Sequence, residues 1–99
     1  MKIYISGPMA GYKEHNRPAF FAAEKRLKES FKGSTILNPA NNPPSEEITV
    51  AEYMDIDLAM VRASDTIYML DGWKNSKGAA VEYHYAVYLG LTIIYEIDQ

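Results

Sequence analysis

Short apolar runs alternate with stretches of helical period from one end of the chain to the other. Lys2 to Ser6 (KIYIS) is β-prone and is closed by Gly7-Pro8. Between Arg17 and Phe31, the residues Phe20, Glu24, Leu27 and Phe31 keep the spacing of one helix face. Asn16 stands where this helix would be capped, Pro18 falls in its first turn, and Gly33 is placed to end it. Thr35-Ile36-Leu37 reads as a second strand, followed by the turn-rich loop Asn38-Pro39-Ala40-Asn41-Asn42-Pro43-Pro44. The pattern then predicts a helix from about Thr49 to Ala63, a strand over Thr66–Leu70 and a polar loop over 71–78. A third helix follows over about Ala79–Leu89, ended by Gly90, and a last strand over Thr92–Tyr95.

Strands that are apolar on both faces and separated by helices belong to a parallel sheet covered on both sides. With right-handed crossovers, about four such strands make a compact, doubly wound α/β fold of the Rossmann or flavodoxin type, expected as one domain over residues 1–99. Ligands in such folds bind beyond the carboxyl ends of the strands. The site is therefore expected among the loops 6–16, 38–48 and 71–78.

Composition narrows the chemistry. Hydrophobic residues make up 47% and charged residues 23% of the 99, an ordinary globular balance. No apolar run approaches the ~20 residues of a membrane span, and no signal-peptide pattern opens the chain, so no membrane partner and a cytosolic setting are expected. There is no cysteine, which removes thiol catalysis and thiolate metal sites. The two histidines, His15 and His84, lack metal-ligand spacing, so neither metal nor cofactor is expected. The net charge of −3, with ten basic residues scattered along the chain, gives no basic patch for nucleic acid. A small molecule is the expected partner.

Two carboxylates stand where a core should be. On the second helix Val50, Met54, Asp57 and Val61 share one stripe, so Asp57 falls in the middle of the sheet-facing side while Asp55 points outward. A desolvated carboxylate is costly unless it is hydrogen-bonded or opens on a cavity, and a structural aspartate satisfied by backbone amides is the plain alternative. On the third helix Glu82 lies on a face with Ala79, Ala86 and Leu89. The nearby helix start favours a negative charge there, as a carboxylate nucleophile would need; a glutamate reaching out to solvent is the plain alternative. Two acids in one small cleft suit glycosidic chemistry, one attacking the sugar and the other handling a proton.

The loops offer candidate contacts. Gly7-Pro8-Met9-Ala10-Gly11 follows the first strand without matching a phosphate-loop signature. Ser6, Gly7 and the amides around Gly11 could approach a ligand, with Arg17 near, although a tight turn explains the glycines equally well. Ser76-Lys77-Gly78 opens the third helix, where free amides favour an anion and where Ser76 is also a natural cap. Trp73, the single tryptophan, could stack on a base or shield the sheet's end. Tyr4 and Tyr68 read as core residues, a strand-end hydroxyl being able to bond a nearby carboxylate. The cluster of Tyr83, His84, Tyr85 and Tyr88 hints at a subunit interface.

Taken together, Ile3-Tyr4-Ile5-Ser6-Gly7-Pro8-Met9, Met54-Asp55-Ile56-Asp57-Leu58 and Gly78-Ala79-Ala80-Val81-Glu82-Tyr83 with Ala86 resemble the nucleoside 2-deoxyribosyltransferase-like superfamily, in particular its short bacterial and phage members of unassigned function. The resemblance spans nearly the whole chain. It implies that Glu82 is the nucleophile taking the sugar at C1′, that Asp57 assists departure of the base and contacts the sugar, and that Tyr4 lies beside the glutamate. Transferases of the family carry an aspartate where this chain has Ser76. Serine there resembles the hydrolases of nucleoside 5′-monophosphates, in which it contacts the phosphate. The resemblance thus implies a retaining N-glycosidase acting on a (deoxy)nucleoside 5′-monophosphate, working as a homodimer or larger homo-oligomer. Base exchange between nucleosides, binding of a nucleotide-derived ligand without turnover, and a purely structural domain are the alternatives.

Overall fold

The computed structural model describes residues 1–42 and 45–97; Pro43 and Pro44 of the turn-rich loop lie outside the described residues. Four strands, β1 (Lys2–Ser6), β2 (Thr35–Leu37), β3 (Thr66–Met69) and β4 (Thr92–Tyr95), alternate with three helices, α1 (Arg17–Ser30), α2 (Val50–Arg62) and α3 (Lys77–Leu89). The strands form one parallel sheet in the order β2-β1-β3-β4. The chain leaves β1 toward one edge and returns to its other side at β3, so the loops after β1 and β3 diverge. Such a reversal opens the crevice in which folds of this class hold ligands.

Burial follows the alternation of side chains along the strands. Ile3, Ile5 and Tyr68 meet Phe20, Ala23 and Leu27 of α1 on one face. Tyr4, Ile67 and Met69 meet Val61 of α2 and Ala79 and Ala86 of α3 on the other. The fold is thus the doubly wound α/β sheet that the pattern predicts. The central strands are buried almost throughout, while β2 and β4 at the edges are half-covered. No helix among the described residues is long and apolar enough to cross a membrane.

Several local expectations are corrected. Asn16 does not cap α1. It adopts a left-handed conformation (φ 60°) with no capping bond, and its Nδ2 donates instead to the Pro8 carbonyl at 2.9 Å. The helix ends at Ser30, ahead of Gly33, whose positive φ of 84° serves the following turn. Val50 belongs to the predicted apolar stripe but, as the first residue of α2, is 85% exposed. Leu89 is likewise exposed, at the far end of α3. Leu70 lies just outside β3, and α3 begins at Lys77, two residues earlier than its apolar pattern indicates.

The start of α2 is fixed by a reciprocal capping box. The Thr49 hydroxyl accepts from the Glu52 amide at 3.1 Å, and the Glu52 carboxylate accepts from the Thr49 amide at 2.9 Å. Ser76 caps α3, its Oγ accepting from the Ala79 amide at 3.2 Å. Gly7 is required by proximity: a Cβ there would stand 2.7 Å from the Leu70 Cβ. The loop leaving β1 is therefore pressed against the end of β3.

Candidate active site

Alternation puts Tyr4 and Ser6 on the sheet face covered by α2 and α3. Both side chains are fully buried. Ala79 and Ala86 on α3 bring that helix close to the strands, and Glu82 between them is carried inward to 5% exposure. There the Ser6 hydroxyl donates to Glu82 Oε1 at 2.6 Å. The Tyr4 hydroxyl is buried without a partner at full hydrogen-bond geometry. It still faces Glu82 closely: burial, and then the carboxylates of Glu82 and Asp57, push its pKa well above the usual tyrosine range. Tyr4 is a neutral O–H donor at any working pH.

Asp57 is half-buried on α2 and its carboxyl lies within hydrogen-bonding reach of Glu82. The two acids that the helical wheel placed inward thus meet in one place. Burial pushes Asp57 up to about 6, opposed by its bond to Glu82. Burial also pushes Glu82 up to about 8; the Ser6 hydroxyl opposes the rise and the Asp57 charge adds to it. Two carboxyls this close cannot both ionise cheaply, so the pair keeps one proton at neutral pH. Of the two, Glu82 is raised the further, which favours the shared proton on its side. This corrects the expectation that the helix start keeps Glu82 ionised. A dipole effect of roughly 0.3–1 kcal/mol at a helix end is small beside the cost of desolvating a carboxylate.

Asp57 opens on a cavity of about 750 Å³. Met9, Ala10, His15 and Arg17 line it from the β1 side, Pro39, Ala40, Asn42, Ser45, Glu46 and Ile48 from the loop after β2, and Val50 and Tyr53 from α2. The volume suits a small ligand. Asn38 secures the base of the second wall. Its Oδ1 accepts from the Ala40 amide at 2.9 Å, and its Nδ2 donates to the Phe20 carbonyl and to Glu24 at 3.3 and 3.1 Å. The Tyr53 hydroxyl accepts from the Ser45 amide at 2.7 Å and ties that wall to α2.

The remaining predicted contacts fall elsewhere. Ser6 stands behind Glu82, and Gly7 and the buried Pro8 support the loop. Gly11 turns with φ 81°, with no atom near enough to meet a Cβ. Gly78 admits Met54 Cε, which would stand 3.4 Å from a Cβ there. Trp73 is 9% exposed and stacks on Tyr83 with ring centroids 4.5 Å apart, with Tyr95 at 6.2 Å. It shields the end of the sheet, and no described residue of the 71–78 loop lines the cavity. Tyr83 is absorbed into the same stack, its hydroxyl 3.2 Å from that of Tyr95, whereas Tyr88 stays 84% exposed. No group of three or more histidines and acids is arranged to hold a metal ion among the described residues.

Sequence reasoning passed over Tyr53 and His15 as site residues. Tyr53 was legible: it lies one turn before Asp57 and shares its direction. His15 was not, because its placement depends on an unusual backbone. Glu14, His15 and Asn16 are all left-handed, with φ of 53°, 54° and 60°. Each such residue other than glycine costs about 1–2 kcal/mol.

The fold is similar to that of a 2-desoxiribosyltransferase from Leishmania mexicana, with a TM-score of 0.72 and 22% identity; the match covers 95% of this chain and 62% of that one. The chain therefore spans less than two thirds of that protein's length, and the likeness is one of fold. No curated protein sequence matches the chain. A family model described as "Domain of unknown function (DUF4406)" matches residues 1–95, and the chain belongs to that family.

Proposed function

We propose that the protein is a retaining N-glycosidase that releases the base from a (deoxy)nucleoside 5′-monophosphate. The observation that carries this reading is the meeting of the Glu82 and Asp57 carboxyls beside a cavity of nucleotide size. When the sugar enters, the proton passes from Glu82 to Asp57. Glu82 Oε then bonds to C1′ as the C1′–N bond breaks, and Asp57 gives its proton to the departing base. Ser6 and Tyr4 hold the attacking carboxylate in place. Water next attacks C1′, Asp57 takes its proton, and Glu82 leaves as the carboxylate. Asp57 thus gives up one proton with the base and regains another from the water.

Incubation with a panel of nucleotides, followed by chromatography of free base, tests the reading. Base release is expected from at least one member, with a loss on the order of 10³-fold or more in Glu82→Ala. No release from any member, or equal rates for the two proteins, overturns it. The likeness in fold to a deoxyribosyltransferase favours a second reading, base exchange. That reading requires product only when an acceptor base is added. Exposed Val81, Val87 and Tyr88 on α3 support a homodimer in either case.

A further inference from the structure

The loop between β1 and α1 contains a device that the carboxylate chemistry does not use. Its amides fold it back on itself, Tyr12 N–H donating to the Met9 carbonyl at 3.2 Å and His15 N–H to the Tyr12 carbonyl at 3.0 Å. Three successive left-handed residues without a glycine then lead into α1. Such a turn persists only where its surroundings impose it, and it clusters at functional sites. Here the Asn16 amide bonded to the Pro8 carbonyl holds it.

The turn sets His15 and Arg17 together on the cavity wall. Among the described residues neither side chain forms a hydrogen bond or an ion pair. The Arg17 guanidinium lies 5.8 Å over the ring of Phe21. Its Nε is buried without an acceptor, and a buried donor left open calls for a partner. Arg17 is the cation among the described lining residues, with Asp57 and Glu46 as the acids, so an anion is favoured at Arg17 and His15, although Glu14 lines a neighbouring pocket with both. Ser76, which the resemblance would assign to phosphate, has its Oγ engaged in capping α3 and does not line the cavity.

We infer that His15 and Arg17, brought to one cavity wall by the left-handed turn, form the subsite for the phosphate monoester of the substrate. A guanidinium fork beside an imidazole donor suits the oxygens of a phosphate monoester. The assignment rests on the proposed nucleotide substrate but needs no turnover to test.

Calorimetry measures the affinity of the protein for deoxyribose 5-phosphate relative to deoxyribose, with inorganic phosphate as a separate arm. The wild type is expected to prefer the phosphorylated sugar by tenfold or more. His15→Gln and Arg17→Met should each reduce that ratio at least tenfold, with Arg17→Lys intermediate because it keeps the charge and loses the fork. Circular dichroism confirms that each variant is folded. A wild type without the preference overturns the inference, as does a ratio unchanged in all three variants or one abolished only in Ser76→Ala. If the ratio collapses as expected while no nucleotide releases its base, the subsite stands and the glycosidase reading falls. If base is released with the ratio unchanged in the variants, the reverse holds.

Discussion

Burying Glu82 beside Asp57 should cost the protein stability, and the cost should depend on pH in a defined direction. The folded chain holds the Glu82 proton up to about 8, against 4.5 for an unperturbed glutamate. Across that interval the unfolded chain has already released a proton that the folded chain retains. Unfolding therefore releases a proton, and its free energy falls as pH rises from about 4.5 to 8. At about 1.4 kcal/mol per pH unit the full interval corresponds to about 5 kcal/mol. Because the proton is shared with Asp57, the expected effect is on the order of 2–4 kcal/mol. Glu82→Gln keeps the shape and an acceptor for Ser6 but has nothing to ionise. Urea denaturation of both proteins at pH 5, 7 and 9 measures the difference. The two should agree within about 1 kcal/mol at pH 5 and diverge above it, the variant becoming the more stable. In a chain of this size each kcal/mol is worth about 4–8 °C in Tm. Parallel pH curves, or a wild type more stable than the variant at pH 9, would refute the claim that this carboxyl is strained by burial.

The same proton shapes catalysis. Base release should follow a bell, falling below about pH 6 as both carboxyls protonate and above about pH 8 as both ionise; a flat profile from pH 5 to 9 would contradict the shared proton. Packing predicts that Gly7→Ala destabilises the chain by about 1–3 kcal/mol, since the new methyl would meet Leu70 at 2.7 Å. Leu70→Ala in the same chain keeps the Cβ but removes the Cδ1 and Cγ that the methyl would meet at 2.9 and 3.1 Å, so it should recover part of the loss; strict additivity of the two changes would deny those two contacts.

Much of this architecture is written in local sequence. The short apolar runs of β1 and β3 and the helical period of Phe20, Glu24 and Leu27 specify the elements, because run length and helix repeat are local properties of the chain. The inward turn of Asp57 and Glu82 is legible for the same reason. The limits of that reading lie at element ends. Val50 keeps the period of its stripe yet is exposed where it lines the cavity, since periodicity records direction and not what stands opposite.

What only the tertiary structure decided is distance and company. No spacing along the chain reveals that Ser6 reaches across 76 positions to Glu82, or that Asp57 meets the same carboxyl. Those contacts depend on β1 lying beside β3 with α3 folded over both. Nor does the sequence show Trp73 consumed by an aromatic stack while His15 turns toward the cavity. The first depends on which helix covers the sheet's end. The second depends on a left-handed backbone that no glycine announces and that its bond to Pro8 makes tolerable. Local propensity chose the parts; packing chose which side chains share a proton, because desolvation and charge act through space and not along the chain.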